Sequence, residues 1–125
     1  MEVQWFSKNN KGLATIYETN ITLNTVASNH FKDVYRTLIG FEKKNNAVVI
    51  KAISKEEMLL GLYKGVETHA VSIKPSYGRI NGKKIVGSLC EYHQLDFSKK
   101  LYYKFECEWD QKEKYLRIFL DKEVS

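Results

Sequence analysis

The chain is poor in the residues that punctuate or staple a fold. It has a single proline, Pro75, and seven glycines among 125 residues, which leaves no Pro-rich linker and no low-complexity segment. Its two cysteines, Cys90 and Cys107, are too few for the disulfide framework of a small secreted domain. No apolar run approaches the ~20 residues that a membrane-spanning helix needs. The opening Met1-Glu2-Val3-Gln4-Trp5-Phe6 has no basic stretch followed by an apolar one, the pattern of a signal peptide. The expectation is a soluble protein of a reducing cytoplasm, with no membrane partner. Glycine-rich phosphate loops of the G-x-G-x-x-G and Walker types are missing, and so is a nucleophile elbow. The sequence therefore predicts no enzyme, no cofactor and no evident small-molecule ligand.

What is present is aromatic and basic. Eight Tyr, six Phe and two Trp favour strands with packed cross-strand pairs. Hydrophobic residues at 43% and charged residues at 28% suit one globular domain over residues 1–125, long enough to bury a core without staples. The net charge is +5 and it is uneven. From Lys64 to Lys104, eight basic residues stand against three acids, whereas Glu106 onward is net acidic. A local basic excess attracts polyanions. It also serves simply as a solvated face.

Periodicity predicts an α+β fold of antiparallel hairpins with short helices. Glu2 to Phe6 reads as a strand, and Leu13 to Leu23 as a single longer one. Asn24 or Thr25 can cap a helix whose apolar face is Ala27, Phe31, Val34/Tyr35 and Leu38. Thr37 to Phe41 and Ala47 to Ile53 form a hairpin. Ser54-Lys55-Glu56-Glu57 is a capping box flanked by Ile53 and Met58, opening a helix to about Tyr63 that Gly65 stops. His69 to Lys74 is a strand, Pro75 to Gly78 a turn, and Arg79 to Asn81 extended. Gly82 opens a second helix with Ile85, Leu89 and Tyr92/His93 as its apolar face. In the strand Tyr102 to Trp109, the residues Tyr103, Phe105, Cys107 and Trp109 point one way, and Tyr115 to Leu120 returns beside it. The element order makes two strand–helix–hairpin arms, residues 13–53 and 69–120, joined by a helix over 55–63. Ile21-Thr22-Leu23-Asn24 lies over Gly78-Arg79-Ile80-Asn81, and Ala47-Val48-Val49-Ile50 over Tyr115-Leu116-Arg117-Ile118, a pattern that suggests a pseudo-repeat.

Several groupings have the residue types for chemistry. Cys90 and His93 lie one helical turn apart, and Cys107 with His69 would complete four zinc ligands. Both cysteines sit in apolar patterns, where thiols behave as small hydrophobes, so no metal site is assigned. His30 and Asp33 are spaced to touch on an exposed helix. Tyr102-Tyr103-x-Phe105 beside Lys99, Lys100 and Lys104 has the make-up of a base-stacking platform, although core packing with surface lysines explains it more simply.

The strings Tyr77-Gly78-Arg79-Ile80 and Ile21-Thr22-Leu23-Asn24, each leading into a helix and a hairpin, resemble the Arg-Ile-x-Ile-Pro-like step of the AbrB-type swapped-hairpin barrels, in the tandem arrangement of the MraZ group. This sequence has no acidic residue before Gly78-Arg79-Ile80 and no proline after it. The resemblance implies an AbrB/MraZ-like barrel, DNA as a partner, transcription regulation and a homo-oligomer. Arg79 alone matches a basic motif position. Lys83 and Lys84, just beyond it, and Lys74, before it, complete the candidate nucleic-acid-binding set. The alternatives are a non-catalytic protein-interaction or phage- or plasmid-type accessory module, and an enzyme whose active site is assembled from distant residues.

Overall fold

The computed structural model describes residues 11–124. The strand expected over Glu2 to Phe6 lies outside them. The fold is α+β, with one eight-stranded antiparallel sheet curled into a half-barrel and three short helices. The strands are β1 (Gly12–Tyr17), β2 (Asn20–Asn24), β3 (Arg36–Glu42), β4 (Ala47–Ile53), β5 (Ser72–Ile73), β6 (Tyr77–Asn81), β7 (Tyr102–Asp110) and β8 (Tyr115–Val124). The helices are α1 (Thr25–Ser28), α2 (Lys55–Leu59) and α3 (Lys83–Leu89). Across the sheet the order is β3-β4-β8-β7-β1-β2-β6-β5. An isolated antiparallel bridge ties the β3 edge to the segment that precedes β5, where Thr37 exchanges both backbone hydrogen bonds, each 2.8 Å, with His69.

Alternation along each strand decides which side is core. Ala14 and Ile16, Ile21 and Leu23, Val48 and Ile50, Ile80, Tyr103 and Phe105, and Leu116, Ile118 and Leu120 are buried together inside the curl. The inward set expected for β7 is correct for Tyr103, Phe105 and Cys107, and Trp109 is partly covered against the same cluster. Among the described residues no helix is long and apolar enough to cross a membrane.

Three expectations about elements are corrected. Leu13 to Leu23 is a hairpin, with Ala14 opposite Leu23 and Ile16 opposite Ile21. Glu18 and Thr19 form its turn, which needs no glycine because neither residue adopts a positive φ. The first helix is far shorter than its apolar spacing implies. Asn24 caps it by accepting from the Ala27 N–H at 3.0 Å, but after a 3-10 turn at Asn29–Phe31 the chain straightens and Leu38 belongs to β3. Pairing of β3 with β4 along seven residues from Arg36 to Glu42 outweighs the local helical pattern. The strand expected from His69 to Lys74 is in the sheet only at Ser72–Ile73.

The capping box forms as expected. The Glu57 N–H donates to Ser54 Oγ at 3.1 Å and the Ser54 N–H donates to Glu57 Oε1 at 3.0 Å. That helix ends at Leu59, before the expected Tyr63, because Gly61 turns the chain at φ 73°. Gly78 serves a different need. A Cβ there would lie 2.9 Å from the Ser28 and Ile73 side chains, so glycine lets α1 close against β6.

Candidate nucleic-acid interface

The residues pointing away from the core on β7, β1, β2, β6 and β5 form the outer sheet face. Strand register sets them in rows. Lys104 lies opposite Thr15, Thr15 opposite Thr22, Thr22 opposite Arg79, and Arg79 opposite Ser72. On one side of this row Tyr102 is opposite Tyr17 and Asn20 is opposite Asn81. On the other side Glu106 is opposite Leu13 and Asn24 is opposite Tyr77. Short hydroxyl and amide side chains fill the middle of the face, and cations stand toward its two ends.

Arg79 is exposed, and its guanidinium rests 5.2 Å from the centre of the Tyr77 ring, a cation–π contact that leaves the charge unneutralised. No ion pair to Arg79, Lys74, Lys83 or Lys84 forms among the described residues. Lys74 sits on the same face at the turn between β5 and β6, where its N–H donates to the Tyr77 carbonyl at 2.8 Å. Lys83 follows Gly82 at the far end of β6 and shares a cleft of about 490 Å³ with Glu18, Cys90 and Phe97. Lys84, one residue on along α3, turns into a different cleft of about 570 Å³ beside Glu67, His69 and Tyr92. Of the four candidates, then, Lys74 and Arg79 share a face, Lys83 borders it, and Lys84 points elsewhere.

A second arginine gives a useful contrast. Arg117 on β8 donates to Glu42 at 2.8 Å and to Asp110 at 2.6 Å. Hydrogen bonds from Arg117 hold both carboxyls below their usual pKa and raise that of the guanidinium. This arginine is fully committed within the protein.

The other groupings separate. Cys90 is exposed and Cys107 is buried, its thiol pushed up to about 12 by desolvation. The His93 ring meets the edge of Phe105 at 5.9 Å. Among the described residues no group of three or more His, Cys, Asp or Glu is placed to hold a metal ion. His30 does not pair with Asp33. Its ring stacks on Trp109, with centroids 4.6 Å and planes 5° apart. Tyr103 and Phe105 are core residues, but Tyr102 is exposed and meets Tyr17 across the strand at 5.8 Å. Nothing in the sequence points to Tyr17 or Thr15, because their link to Arg79 and Lys104 exists only in the strand order. No protein-family profile, curated protein or solved structure matches this chain.

Proposed function

We propose that this protein binds nucleic acid through the outer face that carries Lys74 and Arg79, with Lys83 at its border, and that it does so by phosphate contacts in a tandem AbrB-like barrel. The observation that carries the reading is Arg79: an exposed guanidinium on the outer sheet face with no carboxylate partner among the described residues. The same residue type at Arg117 is closed off by two acids. An unneutralised cation in a chain of net charge +5 is the electrostatic footprint that a polyanion uses.

The tandem arrangement is supported by topology. With the Thr37–His69 bridge taken as the closing contact, exchanging β1 with β5, β2 with β6, β3 with β7 and β4 with β8 returns the same cyclic strand order. Two junctions map onto themselves in that exchange. In β2·β6, Thr22 faces Arg79, and in β4·β8, Val49 faces Arg117. A twofold axis through those two pairs carries residue 22 to 79 and residue 49 to 117. These are the offsets at which Ile21-Thr22-Leu23-Asn24 matches Gly78-Arg79-Ile80-Asn81, and Ala47-Val48-Val49-Ile50 matches Tyr115-Leu116-Arg117-Ile118.

The test is fluorescence anisotropy with labelled duplex and single-stranded DNA over a salt series. The wild type binds at low salt and weakens as salt rises, because phosphate contacts release counterions. The variant combining Lys74→Ala, Arg79→Ala and Lys83→Ala loses affinity for every DNA sequence alike, and each lost phosphate contact lowers the salt slope by about one. Lys84→Ala alone changes little. Absence of binding to both DNA forms at low salt would put the protein-interaction module in place of this reading.

A further inference from the structure

We propose that the ligand of this face is a single nucleic-acid strand, whose bases stack on Tyr17 and Tyr102 while Lys104 and Arg79 hold its phosphates. The inference rests on the nucleic-acid reading above and narrows it. Its starting point is the exposure of the two rings. Tyr17 is 36% and Tyr102 45% exposed, and Leu101 beside them is 82% exposed. Their neighbours Tyr103 and Phe105 turn inward to the core, so β7 spends its other aromatics on packing and leaves this pair outside. The rings meet at 5.8 Å with their planes tilted by 49°, and each keeps surface open to solvent.

The surroundings fit one kind of occupant. Next to the tyrosine pair, in the adjacent row, stands Lys104, and the same row runs through Thr15 and Thr22 to Arg79. Lys104 and Arg79 are three strand spacings apart, ~14 Å, so a chain laid across the strands meets a cation at each end. The one acid in these rows, Glu106, is ion-paired with Lys11 at 3.0 Å, so it offers no bare negative charge to repel phosphate. Thr15, Thr22, Asn20 and Asn81 are short and polar, which keeps the face open and supplies donors and acceptors for base edges. A duplex keeps its base faces stacked inside and has none to offer a tyrosine. Unpaired bases do, and sheet faces with exposed aromatics between cations take them in this way.

The experiment uses the whole chain and fluorescein-labelled oligo-dT and oligo-U of ~12 nucleotides, within the span that one small β-barrel covers, against a mixed-sequence duplex of equal length. Binding of either single strand at least tenfold tighter than the duplex is the expected result. Tyr17→Thr with Tyr102→Thr then weakens single-strand binding roughly five- to hundredfold, whereas Tyr17→Phe with Tyr102→Phe, which keeps both rings, retains it. Thermal melts confirm that both pairs of variants fold. If the threonine pair is unstable, Tyr102→Thr alone serves, with an expected loss of at least severalfold. Equal or tighter duplex binding, or single-strand binding unmoved by loss of the rings, would overturn this inference and leave the phosphate-binding face standing. No binding to any probe would remove both.

Discussion

His30 shows how a residue takes its role from a partner distant in sequence. The spacing to Asp33 suggested a local pair, but the ring is stacked on Trp109 of β7, and Phe31 meets the same indole edge-on at 5.5 Å. Desolvation in this stack lowers the His30 pKa from 6.5. The sign follows from the charge. The folded state favours the neutral ring, so the stabilisation is complete above the ordinary pKa of 6.5 and is lost as pH falls through the lower folded value. Thermal melts of the wild type between pH 7.5 and 5 should show a falling Tm. In His30→Phe, which keeps a flat ring against Trp109, the His30 share of that fall disappears. His69 and His93 are common to both proteins, so the difference between the two pH profiles isolates His30. An unchanged profile would mean that the stack places no burden on the imidazolium.

At the scale of elements, local chemistry was legible wherever a short-range signal decides the outcome. The box at Ser54 and Glu57 is local, and it formed. Both of its hydrogen bonds satisfy backbone N–H groups that the first turn of α2 leaves open, and the bond from the Ser54 N–H holds the Glu57 carboxyl below its usual pKa. Ser54→Ala should therefore cost about 1 kcal/mol in a denaturant melt. Glu57→Gln, which keeps an acceptor for the same N–H, should cost less. The strands from Ala47, Tyr102 and Tyr115 were also legible, because alternation announces them. The hairpin at Glu18 and Thr19 was not, since its turn uses no glycine, proline or positive φ. The hairpin expected from Thr37 to Phe41 and Ala47 to Ile53 is present as β3 and β4, whereas the helical spacing before it carries only the single turn at Thr25–Ser28 and a 3-10 turn. As for the candidate site, Arg79 could be read from its motif, while Tyr17 and Thr22 become its neighbours only through pairings between strands far apart in sequence.

At the scale of the whole molecule, the β4·β8 and β2·β6 junctions each carry an arginine on the outer surface, and the two have opposite surroundings. Arg117 lies at the β4·β8 junction opposite Val49. It binds Glu42 at the end of β3 and Asp110 at the end of β7, so one guanidinium ties both hairpins across the seam. Its side chain is 20% exposed, and a largely covered, doubly paired arginine is worth more than an isolated surface pair. Arg79 lies at the β2·β6 junction opposite Thr22, with the Tyr77 ring beside it and no ion pair among the described residues. If the first holds the half-barrel and the second serves a ligand, the two substitutions separate cleanly. Arg117→Met, which keeps the apolar stem, should lower Tm at pH 7. The gap to wild type should then narrow as pH falls below the ordinary carboxyl values of 4.5 for Glu42 and 3.8 for Asp110. Both carboxyls are held low in the folded state, so the stabilisation they bring is present above those values and is lost as they protonate. Arg79→Met should leave Tm within the ~0.5 kcal/mol scatter of ordinary surface changes while weakening nucleic-acid binding. A loss of stability in Arg79→Met as large as that in Arg117→Met would assign both arginines to the seam and take Arg79 out of the binding face.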